Sequence, residues 1–267
     1  MNNKRIGVFD SGVGGLTVVK ELIKQLPNES ICYLGDTARA PYGSKTKDTI
    51  IRFSIENVSF LLKRNVKIIV VACNTSSAIA LDELRKNFKI NIIGVVEAGA
   101  RAAIDITRNK RIGIIGTKAT IESKAYEKII KMKDKNIKIF SYATPLLVPL
   151  VEEGWLEERE TELILRRYLK YFNGKNIDTL LLGCTHYPLL KNLIKKIMLG
   201  INIIDSAIEI SKTIRAMLES SGMLASRKNN RKHEFYVTDT PDKFNKIAKM
   251  FLKNSIISAK KIDLRKR

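Results

Sequence analysis

The chain repeats itself. Ile6-Gly7-Val8-Phe9-Asp10-Ser11 resembles Ile112-Gly113-Ile114-Ile115-Gly116-Thr117, and Val71-Ala72-Cys73-Asn74-Thr75 resembles Leu182-Gly183-Cys184-Thr185-His186. The spacing inside each half is similar: 67 residues separate Ile6 from Cys73, and 72 separate Ile112 from Cys184. Short apolar runs, with Val66–Ala72 β-branched throughout its centre, read as buried strands. Amphipathic stretches of helical length lie between them. Such alternation predicts an α/β fold with mostly parallel sheets, and ligands in these folds sit at the carboxyl ends of the strands. The expected architecture is two facing parallel-sheet α/β domains related by internal pseudo-duplication. The site then lies in the cleft between them, with a cysteine from each side.

The pattern predicts strands over Arg5–Phe9, Ser30–Leu34, Val66–Ala72, Asn91–Val96, Arg111–Ile115, Ile137–Tyr142, Asp178–Leu182, Ile201–Ile204 and Glu234–Val237. Helices are predicted over Leu16–Gln25, Lys47–Lys63, Ser76–Lys86, Gly99–Thr107, Ile121–Lys131, Glu158–Tyr171, Leu189–Met198, Ser206–Ser220 and Lys243–Leu252. With 267 residues, the chain is long enough for two domains.

Several function classes are disfavoured at once. No uncharged run approaches the roughly 18–20 apolar residues that span a bilayer, so no membrane role is expected. Met1-Asn2-Asn3-Lys4-Arg5 leads straight into the first strand-like run without a signal-peptide core, which makes the cytoplasm the expected compartment. Three widely spaced cysteines form no disulfide framework. With no CxxC pair and two histidines 47 residues apart, no metal site is expected. The net charge of +21 raises nucleic acid as a partner. Its distribution argues against that reading. Lys outnumbers Arg 32 to 16, the basic residues are spread along the chain, and Ile68–Leu84 and Asn176–Leu190 contain none. The charge therefore reads as a solvated surface. It is densest from Arg227 onward, where a loosely ordered tail is expected.

Cys73 and Cys184 each end an apolar strand and precede polar residues and a helix. Helix N-terminal N–H groups favour a thiolate and are expected to lower each thiol below its ordinary value of about 8.5. Cys32 lies inside a strand and reads as a core residue. Two thiols without a redox partner, metal set or cofactor-type lysine suggest proton transfer. Paired acid–base groups on opposite faces of a carbon remove a proton from one face and return one to the other, which inverts the centre. Asp10, beside the glycines of Asp10-Ser11-Gly12-Val13-Gly14-Gly15, is a further candidate, because that loop can present N–H groups to an anion. The loop is neither a GxGxxG fingerprint nor a Walker A loop, although Asp36 stands near the spacing of a ribose-binding acid. His186, two residues past Cys184, can orient or protonate on that side. Glu152 and Glu153 open a loop or helix and read mostly as solvated. His233 reads as a surface residue.

Together these motifs resemble the glutamate racemases. The segments that carry the resemblance are IGVFDSGVGGLTV from Ile6, GDTARAPYG from Gly35, VACNTSSA from Val71, IGIIGTKATI from Ile112, VPLVEEG from Val148, and LLLGCTHYPLL ending at Leu190. The resemblance implies interconversion of L- and D-glutamate without cofactor or metal, in the supply of D-glutamate for peptidoglycan. It implies Cys73 and Cys184 as the two acid–base residues, with Asp10 assisting Cys73, and His186 and Glu152 assisting Cys184. It implies substrate contacts from Asp10, Ser11, Tyr42, Gly43, Asn74, Thr75, Thr185 and His186. It further implies a discontinuous first domain (1–97 with 207–267), a second domain (98–206), and a homodimer as a possible assembly. The rival readings are a racemase of the same superfamily acting on aspartate or a hydantoin, and a basic nucleic-acid-binding protein on a racemase-like fold.

Overall fold

The computed structural model describes residues 4–225, 233–252 and 258–265. The first half runs β1 (Arg5–Asp10), α1 (Leu16–Gln25), β2 (Ile31–Gly35), α2 (Lys47–Leu62), β3 (Val66–Val71), α3 (Asn74–Ile79), α4 (Leu81–Asn87), β4 (Ile92–Gly94) and α5 (Val95–Ile106). The second runs β5 (Arg111–Gly116), α6 (Lys118–Glu122), α7 (Ala125–Lys133), β6 (Lys138–Ala143), α8 (Leu147–Glu152), α9 (Arg159–Leu169), β7 (Thr179–Gly183), α10 (Lys191–Ile197), β8 (Asn202–Asp205) and α11 (Ser206–Ser220). The chain closes with β9 (Glu234–Val237), α12 (Pro241–Phe251) and β10 (Ala259–Lys261).

Every strand pair is parallel. One sheet has the order β10-β9-β2-β1-β3-β4 and the other β6-β5-β7-β8. The run β2-β1-β3-β4 therefore has the same topology as β6-β5-β7-β8. Register agrees as well. Phe9 pairs with Val71 in the first sheet, and Ile115 with Leu182 in the second. These are the positions that the sequence repeat aligns, so each cysteine leaves its sheet at an equivalent point. Strands β1, β3, β5 and β7 are buried almost throughout, as expected where helices cover both faces.

One apolar core crosses from sheet to sheet. Helix α11 packs against both α1 and α5, and its Ile210, Ile214 and Leu218 join Leu16, Val19 and Leu22 of α1. The closing segment returns to the first sheet, where β9 pairs with β2. Tyr33 of β2 meets Phe235 and Phe244 at ring-centroid distances of 6.1 and 6.0 Å. The tail expected to be loosely ordered falls partly outside the described residues, and its described parts form β9, α12 and β10.

Other differences have local causes. The predicted strand Asn91–Val96 is only Ile92–Gly94, and helix α5 starts at Val95 instead of Gly99. Ser77 Oγ accepts the Val96 N–H at 3.1 Å, which caps α5 from a distant helix. The helix predicted over 121–131 breaks at Lys124, where φ is +55°. The helix predicted over 76–86 starts earlier, at Asn74, and divides at Ala80. His233 is not a free surface residue: its Nδ1 accepts the Ile31 N–H at 3.2 Å, and burial lowers its pKa. The expected boundary at residues 97 and 98 falls inside α5.

A buried ion pair anchors the chain as it leaves α11. Lys67 Nζ donates to Glu29 Oε1 at 2.8 Å and to the Met223 carbonyl at 2.7 Å. Glu29 also accepts the Ala225 N–H at 2.8 Å. Both side chains are 1% exposed. Lys67→Met leaves Glu29 buried without its cation, and urea unfolding should show a loss of about 3–5 kcal/mol. A loss below about 1 kcal/mol, the worth of an exposed pair, would contradict this role.

Candidate active site

Cys73 follows β3 and serves as the N-cap of α3. Its sulfur accepts the Ser76 N–H at 3.5 Å, and its thiol donates to Ser11 Oγ at 3.6 Å. Burial and the nearby Asp10 charge push the thiol up to about 11, against the opposing pull of the Ser76 and Ser11 donors. This corrects the sequence expectation for Cys73. The helix N-terminus acts in the predicted direction, but desolvation outweighs it.

Cys184 leaves β7 at the equivalent position. Its sulfur is 3.7 Å from His186 Nδ1. The other ring nitrogen, Nε2, is 3.0 Å from Glu152 Oε1 at the end of α8. Burial alone would favour the neutral imidazole. The Cys184 sulfur and the Glu152 carboxylate reverse that preference and raise His186 to about 10. Burial also acts to raise Glu152, but the His186 hydrogen bond and charge, with Lys243 beyond, hold it below its ordinary value. His186 is thus an imidazolium at neutral pH, clamped between a sulfur and a carboxylate. The edge of Phe251 packs against its ring. Glu152, which sequence alone read as solvated, belongs to this cluster.

Asp10 ends β1 and is fully buried. Its Oδ2 accepts the Gly12 N–H at 2.9 Å, and its Oδ1 accepts from Thr185 Oγ1 at 3.5 Å. Burial raises its pKa, and His186 partly offsets the rise. The glycine loop therefore folds around the chain's own carboxylate. Its glycines also permit close approach. A Cβ on Gly15 would stand 2.5 Å from the Asp10 Cβ, and one on Gly14 would stand 2.3 Å from Thr185 Oγ1 and 2.6 Å from the His186 ring. The two halves meet at this loop. No hydrogen bond joins Asp10 to Cys73 among the described residues, and the link between them is through charge.

Ten of the eleven residues proposed from sequence line one cavity: Ser11, Tyr42, Gly43, Cys73, Asn74, Thr75, Glu152, Cys184, Thr185 and His186. Asp10 lies just behind, tied to the lining through Gly12 and Thr185. The cavity is small, about 30 Å³. A larger depression of about 670 Å³ at the rim of β9 and β10 contains Asp36, Arg39 and Lys261 but no thiol or histidine.

Thr117 was not among the sequence candidates. It lines the cavity and is 3.0 Å from Thr75 Oγ1. The repeat held the signal, because Thr117 aligns with Ser11. Tyr126 was also missed. Asn74 Nδ2 donates to its hydroxyl at 2.8 Å, Tyr126 contacts Ser206 Oγ at 3.3 Å, and Ser206 donates to the Leu182 carbonyl at 3.4 Å. This chain connects the residue after Cys73 to the strand that bears Cys184. Asp36, the ribose-acid candidate, accepts hydrogen bonds from Tyr42, Arg39 and Thr238. It thereby supports the loop that presents Tyr42 and Gly43.

Two α/β units thus each place a thiol in one shared cavity. The Asp/Glu/Hydantoin racemase family model matches residues 6–211. A glutamate racemase of Sulfurihydrogenibium sp. is 46% identical over 263 residues, covering 97% of each chain. The glutamate racemase isoform RacE1 of Bacillus anthracis superposes with a TM-score of 0.95 at 42% identity over 99% of each chain. That of Francisella tularensis, solved with D-glutamate, gives 0.94 at 42% identity over 100% of each chain. The chain belongs to the Asp/Glu/Hydantoin racemase family.

The electrostatics of His186 set its pH behaviour. Its pKa rises on folding, so the stability it contributes is fully present below the ordinary value of 6.5 and is lost as pH rises through about 10. Ring-nitrogen NMR should find His186 protonated at pH 7.5. Glu152→Gln should lower its midpoint by about 1–3 units. A midpoint near 6.5 in both proteins would contradict the clamp.

Proposed function

We propose that this chain is a glutamate racemase that interconverts L- and D-glutamate by exchanging protons between two cysteines at Cα. The observation that carries this reading is the pair Cys73 and Cys184. They leave equivalent strands of two pseudo-equivalent sheets and line one cavity. The near-full-length similarity to glutamate racemases supports glutamate over aspartate or a hydantoin as substrate.

In each direction one cysteine acts as thiolate and takes the Cα proton. The electron pair remains on Cα, delocalised into the adjacent carboxylate. The opposite thiol then gives its proton to the other face and becomes the thiolate. The free enzyme resets when the two sulfurs return to their starting protonation states. Each proton lost from carbon is matched by one delivered, so the reaction needs no oxidant, reductant or added group. Hydrogen-bond donors around the substrate carboxylate stabilise the charge that develops there. Ser11, Asn74, Thr75 and Thr185, with the turn at Tyr42 and Gly43, supply such donors.

The assisting groups differ between the two sides. His186 holds a proton next to Cys184 and can return one to it, while Glu152 fixes the ring. Asp10 acts on Cys73 through its charge and positions Thr185. We assign residues 1–97 and 207–267 to the first domain and 98–206 to the second, with the cleft between them as the path for substrate. No helix among the described residues is long and apolar enough to cross a membrane, and we place the reaction in the cytoplasm. There D-glutamate would supply peptidoglycan synthesis.

Circular dichroism of L-glutamate incubated with the purified protein tests the assignment. The signal should decay to that of the racemate with no cofactor added. Cys73→Ala and Cys184→Ala should each lower turnover by at least about 10³-fold. L-aspartate should react at least about 100-fold more slowly. Near-wild-type turnover in either cysteine variant would overturn the two-base reading, and faster turnover of aspartate would overturn the substrate.

A further inference from the structure

Among the described residues, no positive charge stands beside Cys73 as His186 stands beside Cys184. The titratable groups that bear on the Cys73 sulfur are Asp10 at the end of β1, Tyr33 in β2 and Tyr42 in the turn that packs against it. A carboxyl group and two phenols carry no positive charge in any protonation state. Asp10 opposes a thiolate, and burial does the same. A thiolate at Cys73 therefore has to be held by neutral donors. Two are visible. The Ser76 N–H already points at the sulfur from 3.5 Å. Ser11 Oγ, which accepts from the thiol at 3.6 Å, can turn its own proton toward a thiolate.

A third donor sits on the same residue as the first. Ser76 is completely buried, and its hydroxyl oxygen has no hydrogen-bond partner. Two buried serines in other helices satisfy the hydroxyl by donating to the carbonyl four residues back. Ser54 does so to Ile50 at 2.7 Å, and Ser211 to Ala207 at 2.8 Å. Ser76 sits in the first turn of α3 and does not. It is the residue whose N–H the Cys73 sulfur accepts, and its side chain acts to favour the thiolate. An unpaired buried hydroxyl costs free energy, and it is tolerated here beside a reacting atom.

We propose that the Ser76 hydroxyl is the reserve donor for Cys73, turning to the sulfur when Cys73 has lost its proton, which makes Ser76 a further catalytic residue. The proposal rests on the two-cysteine reading above. When Cys73 delivers its proton to Cα, the sulfur keeps the electron pair. The Ser76 N–H, the Ser76 O–H and the Ser11 O–H then converge on it. When Cys73 takes a proton back, the Ser76 hydroxyl is released. Unit two meets the same need with a charged imidazolium, and unit one meets it with neutral donors.

Ser76→Ala removes one oxygen and leaves the backbone donor in place. The test is the pH dependence of iodoacetamide alkylation across the full-length protein, read peptide by peptide with mass spectrometry. In Ser76→Ala the Cys73 midpoint should rise by about 1–2 units while the Cys184 midpoint stays fixed. Ser76→Thr, which retains the hydroxyl, should keep the wild-type midpoint. The ratio kcat/KM should fall roughly 10- to 100-fold in Ser76→Ala, equally for both enantiomers, because they have the same free energy in water. A Cys73 midpoint unmoved in Ser76→Ala, or moved equally by Ser76→Ala and Ser76→Thr, overturns the proposal. Alkylation needs no turnover, so this result is independent of whether the wild-type protein racemises glutamate.

Discussion

Desolvation governs this site. The fold buries two thiols, the Asp10 carboxyl and an imidazole around a space of about 30 Å³, with Glu152 half-buried at its edge. Burial raises Cys73 and Asp10. It would also neutralise His186 if nothing opposed it. On the Cys184 side the opposition is ionic, with a sulfur and a carboxylate gripping the ring from its two nitrogens. On the Cys73 side it consists of hydroxyls and one backbone N–H. A duplicated scaffold thus carries two different solutions to the same electrostatic problem. The difference traces to two substitutions between the repeats: His186 stands where the first half has Thr75, and Gly116 stands where it has Asp10.

The scaffold was legible in the sequence because parallel strands buried on both faces leave uninterrupted apolar runs. Helices α1 and α11 and strand β9 have the predicted bounds. The repeat predicted two related units, and these share strand order and register. What escaped notice depended on distant partners. The start of α5 is set by Ser77, a side chain from another helix. His233 is drawn to the Ile31 N–H from 202 residues away. Thr117 could have been found by carrying the repeat one step further, from Ser11 to its counterpart. Ser76 could not, because a buried serine and an unpaired one look alike in a sequence. The direction of the Cys73 shift was misread for a related reason. A helix N-terminus is visible in sequence, whereas the depth of burial that outweighs it is a property of the closed fold.

The net charge of +21 has little to do with this chemistry. Among the described residues no Lys or Arg lines the cavity, in keeping with the two stretches of sequence around the cysteines that lack both. Charges on the outer surface are screened beyond about 8 Å at physiological salt. Glutamate, with two carboxylates and one ammonium, meets hydroxyls, amides and the His186 imidazolium in this cleft. Recognition by neutral donors has a chemical logic here. A fixed ammonium next to the substrate carboxylate would stabilise the bound ground state along with the carbanion, and only preferential stabilisation of the latter speeds the reaction.

The exchange of protons between two opposed cysteines is tested most directly by running the reaction from L-glutamate in D₂O and reading Cα by proton NMR before much has turned over. Two separate bases predict that D-glutamate forms with deuterium at Cα from the first turnovers, while the remaining L-glutamate keeps its protium. D-glutamate that retains the substrate's own proton would show one base serving both faces and would contradict the two-cysteine site.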